Sequence, residues 1–137
     1  MQDVYKRFGK EAEFIGVYIH EAHATDSSWP IEKNTQLGIV VPEPRTFQER
    51  ESVARKCCES MKMPFPILVD EIDDRVGRSY CAMPDRLYVL DSKGRVAYKA
   101  GIGPFGYNPS EMEQALIMLL LEEKKTPIAV NGAKAAP

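Results

Sequence analysis

Phe14-Ile15-Gly16-Val17-Tyr18-Ile19-His20-Glu21-Ala22-His23-Ala24-Thr25-Asp26 is the stretch on which the fold turns. Phe14 to Ile19 is apolar at nearly every position, which suits a strand covered on both faces as in a parallel sheet. That strand runs straight into two imidazoles and two carboxylates. In open α/β sheets, ligands sit beyond the carboxyl ends of the strands, so the junction is the first candidate for chemistry.

On its upstream side, Val4, Tyr5 and Phe8 share a helical face that ends at Gly9 after barely two turns. Downstream, Ala24 to Pro44 contains prolines and lacks a clear period, with a short extra strand expected at Gly38-Ile39-Val40-Val41; long loops in compact domains are often functional. Thr46-Phe47-Gln48-Glu49 is a capping box, hydroxyl and carboxylate each satisfying an orphan backbone donor. The helix it opens carries Val53, Cys57 and Met61 as its expected core stripe, until Pro64 and Pro66 stop it. Ile67-Leu68-Val69 is a short strand ending in Asp70, followed by a turn or two of helix with Val76 and Tyr80 on one face. Leu87 to Leu90 and Val96 to Ala100 form a hairpin around Asp91-Ser92-Lys93-Gly94. Asn108-Pro109-Ser110-Glu111 supplies a helix start with cap, proline and acid in order. Met112, Ala115, Leu116, Leu119 and Leu120 give that last helix a wide core face. Residues 1–124 then form the domain, and 125–137 a disordered tail.

The order helix, strand, helix, strand, helix, hairpin, helix points to a thioredoxin-like α/β fold: a βαβ unit, a β-hairpin and a C-terminal helix, without the first central strand. A proline immediately before an apolar strand is where that fold carries a cis peptide, so Met83-Pro84 is expected to be cis.

Bulk properties exclude several classes. The 137 residues make one domain, and a net charge of −2 offers no basic footprint for nucleic acid. No apolar run approaches the ~18 residues of a membrane span, and no signal peptide opens the chain. Three cysteines without a CxxC pattern argue against a disulfide scaffold or a zinc knuckle, and the default compartment is cytoplasmic. His20 and His23 are spaced too closely for a His-Glu-x-x-His helix, so no metal is expected. Gly101-x-Gly103 is too short for a dinucleotide fingerprint, so no nucleotide cofactor is expected. Phe105 and Tyr107 are expected to pack their loop onto the sheet. Cys57, on the core stripe, is expected to be buried and inert.

Several separated motifs in order resemble the iodothyronine deiodinase family over roughly Phe14 to Leu121. Val17-Tyr18-Ile19-His20-Glu21-Ala22-His23 is similar to its strand ending in Glu-Ala-His. Ala24-Thr25-Asp26 followed by Trp29 is similar to its Ser/Thr-Asp-Gly-Trp loop, with Ser27-Ser28 where glycine is usual. Met83-Pro84-Asp85-Arg86-Leu87-Tyr88-Val89-Leu90 resembles its Leu-Pro-Glu-Arg-Leu-Tyr-Val-Ile segment. Tyr98-Lys99 with Gly103-Pro104-Phe105-Gly106-Tyr107-Asn108-Pro109 resembles its Gly-Pro-(Phe/Trp)-x-Tyr-Asn loop.

The resemblance implies reductive removal of iodide from an aromatic substrate by a selenolate or thiolate, with a thiol reductant as co-substrate. It gives His23 proton transfer and Glu21 support of the same hydrogen-bond network, with Trp29, Pro84 and Arg86 near the substrate cleft. Cys81, three residues before Pro84, is a candidate resolving thiol. A second histidine of the animal enzymes has no counterpart in Pro42 to Arg45. The family nucleophile belongs on the loop after the first strand, upstream of Met1. If it is selenocysteine, its codon reads as a stop and the frame is taken to restart at the next methionine; the alternatives are an upstream cysteine with a misassigned start, and a natural truncation. The chain as given is then expected to be inactive and poorly folded. The alternatives are a peroxiredoxin- or thioredoxin-like thiol oxidoreductase, and a non-catalytic thioredoxin-like binding domain. The partners expected are a small-molecule substrate and the reductant, with a homodimer compatible.

Overall fold

The computed structural model describes residues 1–27, 30, 32, 36 and 40–125. The elements among them are α1 (Gln2–Phe8), β1 (Gly16–Tyr18), α2 (Phe47–Met61), β2 (Ile67–Val69), α3 (Arg75–Ser79), β3 (Tyr88–Leu90), β4 (Val96–Lys99) and α4 (Pro109–Lys125). The mixed α/β order is consistent with the thioredoxin-like expectation.

Local chemistry sets the element ends. The Thr46 hydroxyl accepts from the Glu49 N–H while the Glu49 carboxylate accepts from the Thr46 N–H, the reciprocal box read in the sequence. α2 stops at Lys62, which turns left-handed at φ 49°, before either proline is reached. Asn108 accepts from the Glu111 N–H at the start of α4. That helix runs to Lys125, one residue into the expected tail, and residues 126–137 lie outside the described ones.

The strands form two separate two-stranded sheets. β1 and β2 are parallel, with Val17 opposite Leu68, tied by Gly16 N–H to Pro66 O and Asp70 N–H to Tyr18 O. β3 and β4 are antiparallel, with an irregularity between Val89 and Leu90, and Gly94 takes φ 77° in the turn between them. Each strand therefore pairs along one edge only among the described residues.

The core is Val4 of α1, Val89 of β3, and Met112 and Leu116 of α4, with Phe8, Phe14, Ala115, Leu119 and Leu120 against it. Fully burying each large apolar side chain contributes about 1.5–3 kcal/mol. α1 also reaches the other sheet region: Tyr5 meets Phe14 edge-on and Phe65 at a tilt, and Gln2 donates to Met61 O. Helix packing thus concentrates on the β3–β4 side. The consequence corrects the two-sided burial expected of β1, since Val17 is 38 % exposed and its partner Leu68 55 %.

α2 also departs from its expected stripe. The buried residues are Arg50 and Ala54, whereas Met61 is exposed and Val53 and Cys57 are half-buried. Val40 and Val41 lie outside any strand, and Gly38 and Ile39 fall outside the described residues.

Candidate functional site

The segment after β1 is a tight turn stitched to the loop before α2. Ala24 is fully buried, Thr25 N–H donates to Val41 O, and Glu43 N–H donates to Asp26 Oδ1 at 2.7 Å. Half-buried His23 sits inside this turn. Glu21 accepts the Tyr18 hydroxyl hydrogen. Burial, and then the Glu21 carboxylate, push the Tyr18 phenol far above its ordinary range, so Tyr18 remains a donor and fixes where Glu21 points.

Beside the turn lies a charged cluster that the sequence reading did not single out. Arg50, 1 % exposed, sends Nη1 to 2.7 Å from Asp74 Oδ1 and donates it to the Glu71 carbonyl. Its Nη2 lies 3.8 Å from Glu43 Oε1. His20 joins from the end of β1, with Nδ1 3.1 Å from Glu43 Oε1 and 3.6 Å from Asp74 Oδ2. Burial pushes the Glu43 carboxyl above its usual range, while His20 and Arg50 pull it back. Asp70, also buried, accepts from the N–H groups of Val76 and Gly77 and so anchors α3 to the end of β2. The one available signal for the cluster was position: Arg50 precedes Ala54 by four residues, one helical turn.

α3 connects this cluster to the cis-proline loop. A side-chain carbon on Gly77 would lie 3.5 Å from Ile19 Cβ, so α3 rests directly on the end of β1. Tyr80, which ends α3, stacks edge-on against Tyr88 of β3 and accepts its hydroxyl hydrogen at the backbone carbonyl. Cys81 is exposed, with φ 48°. The Met83-Pro84 peptide is cis as expected, and Gly103-Pro104 is cis as well. Arg86 donates Nε to Ala100 O and Nη1 to Cys81 O, so its guanidinium braces the loop through two carbonyls.

The glycine-rich loop closes this end. Gly103 N–H donates to Asp85 O, and Gly101 and Gly106 meet backbone to backbone. Phe105, expected to pack the loop down, is instead fully exposed, and Tyr107 is 41 % exposed. The close approach of the two glycine backbones already holds the loop without an aromatic plug.

The structure thus gathers His20, Glu21 and His23 at the end of β1, and Cys81, Pro84 and Arg86 at the start of β3, with α3 between. Trp29 lies outside the described residues. A cleft of about 430 Å³ opens beside the cluster, lined in part by Asp26, Glu43, Arg45 and Glu49. Imidazoles, a carboxyl displaced from its ordinary range and an exposed thiol suit acid–base and thiol chemistry.

Comparison with known proteins agrees with the motifs. The family described as iodothyronine deiodinase matches residues 1–119. The chain is 33 % identical over 118 residues to the type I iodothyronine deiodinase of Xenopus laevis, covering 86 % of this chain and 42 % of that protein. It is 27 % identical to the type II iodothyronine deiodinase of Mus musculus, covering 84 % and 43 %. It is 31 % identical to the thyroxine 5-deiodinase of Rattus norvegicus, covering 81 % and 34 %. The chain therefore spans about two fifths of the length of the curated relatives it matches.

Proposed function

Because this chain belongs to the iodothyronine deiodinase family, we propose that its domain removes iodide reductively from an iodinated aromatic substrate. A selenol or thiol from a segment N-terminal to Met1 attacks the iodine. The carbon–iodine bond breaks, the nucleophile takes the iodine, and the ring carbon takes a proton. Two equivalents of a thiol reductant then return the nucleophile, leaving a disulfide and hydrogen iodide. His23 carries the proton, Glu21 organises the turn through Tyr18, and Trp29 and Arg86 serve substrate binding in this reading.

The observation that carries the proposal is the pairing pattern of the two sheets. β1 leads into His23, β3 follows Pro84, and each has one strand edge unpaired among the described residues. A further strand at either free edge would complete its pairing, and one running parallel to β1 would end beside the turn that holds His23.

The test is expression of the chain with its upstream coding segment, followed by measurement of iodide release with a dithiol reductant. Release that is abolished by replacing the upstream selenocysteine or cysteine with alanine, and lowered about 10²-fold by His23→Asn, is the expected result. Peroxide consumption without iodide release would favour a thiol peroxidase instead. The exposure of Cys81 keeps that second reaction in view, with Cys81 as the resolving thiol.

A further inference from the structure

Glu43 is a carboxyl enclosed on one side and linked to an imidazole on the other. Among the described residues its Oε2 is buried without a hydrogen-bond partner, and its Oε1 faces His20 Nδ1. The same residue lines the 430 Å³ cleft. The His20 side chain is 42 % exposed, so one end of the pair lies inside the protein and the other meets solvent three residues before His23. Arg50 lies against both Glu43 and Asp74. One guanidinium cannot neutralise two carboxylates, which leaves a place for a proton on the Glu43–His20 pair.

We propose that Glu43 and His20 form a proton relay serving the site at the end of β1, with His20 as a second proton carrier and Glu43 as its positioning residue. This rests on the reductive reaction proposed above and names who replenishes its proton. In the loaded state the Glu43 carboxyl holds a proton against His20 Nδ1, and His20 carries one on Nε2. As Nε2 gives its proton to the reacting group, Nδ1 takes the one from Glu43. Water then protonates Nε2, and the Nδ1 proton returns to Glu43. One proton enters from solvent and one leaves to the reaction; no electrons move. The charged groups facing the pair are Asp74 from the start of α3, Arg50 from α2, and Glu21 from the turn after β1. Asp74 and Glu21 favour a proton on the pair, and Arg50 opposes it.

The relay is tested in the protein carrying its upstream segment, with two readouts. In NMR, Glu43→Gln should move the His20 ring nitrogen signals, Nδ1 above all, away from their wild-type positions. Unchanged His20 ring signals in Glu43→Gln overturn the relay, whatever the protein catalyses. In kinetics, His20→Asn and Glu43→Gln should each lower kcat for iodide release roughly tenfold or more, leave KM in place and change the pH profile. Profiles superimposable on the wild type overturn the relay while leaving the deiodination reading standing. If the wild type releases no iodide, that reading falls, and the NMR coupling decides the relay alone.

Discussion

Arg50 Nη1 lies 2.7 Å from Asp74 Oδ1, which ties the first turn of α2 to the start of α3 through a side chain only 1 % exposed. The same guanidinium takes in the carbonyls of Asp70 and Glu71. Removing one partner of a buried ion pair strands the other. Arg50→Met leaves the Asp74 carboxylate without its guanidinium, and should lower the unfolding free energy in urea by about 3–5 kcal/mol. A loss below about 1 kcal/mol, the range of surface pairs, would mean that the cluster is solvated in solution.

That cluster also marks where the sequence stopped being legible. The capping box, the hairpin glycine and the face of α4 follow from rules that act within a few residues, and the cis peptide at Pro84 from the fold class; each is found as expected. The core stripe of α2 was misplaced because hydrophobicity alone assigns an arginine to solvent. Only partners brought from residues 43, 70, 71 and 74 make a buried guanidinium tolerable. The burial of β1 failed for a related reason. An apolar run shows that a strand can be covered on both faces, whereas what covers it is decided by distant helices. In the candidate site, family motifs nominated His23 and Pro84, but the contact of His20 with Glu43 spans a loop that no local rule could close.

Stability should respond to pH from two directions. Burial keeps the Glu43 carboxyl above its ordinary 4.5, so the folded chain retains a proton that the unfolded chain has released. Protons bound in the folded state then exceed those in the unfolded state, and this group's contribution falls as pH rises from 4.5 through its folded value. Glu49, Asp91 and Glu123 have the opposite sign. The N–H groups of Arg45, Arg95 and Ser92 hold them below their ordinary values. Their stabilisation is fully present above the unfolded values and is lost as pH falls through the lower folded ones. Urea midpoints measured between roughly pH 3 and pH 7 should therefore show both limbs. Glu43→Gln should flatten the one above 4.5 and leave the acid limb in place.

The glycine loop yields a steric prediction. A side-chain carbon on Gly106 would lie 2.3 Å from the carbonyl carbon of Gly101, a backbone atom that cannot swing aside. Gly106→Ala should cost about 1–3 kcal/mol in urea unfolding. Gly94→Ala is the informative control. It meets no atom within 4 Å but holds φ 77°, so its cost is conformational only. Equal effects at the two positions would show that the loop opens to admit the methyl group.

Cysteine reactivity should separate along the chain. Cys81 is exposed in the turn before Pro84, whereas Cys57 is half-buried with its Sγ 3.5 Å from Met61 Sδ. Burial, reinforced by Cys58 and Glu21, pushes the Cys57 thiol up, which lowers its thiolate fraction near neutral pH. Brief iodoacetamide treatment of the native protein followed by peptide mass spectrometry should find Cys81 carboxamidomethylated well before Cys57, with the difference lost in denaturant. Because Cys57 responds to the Glu21 carboxylate, Glu21→Gln should speed its labelling and leave the rate at Cys81 unchanged. Equal native rates at Cys57 and Cys81 would contradict both the packing of α2 and the placement of Glu21 beside it.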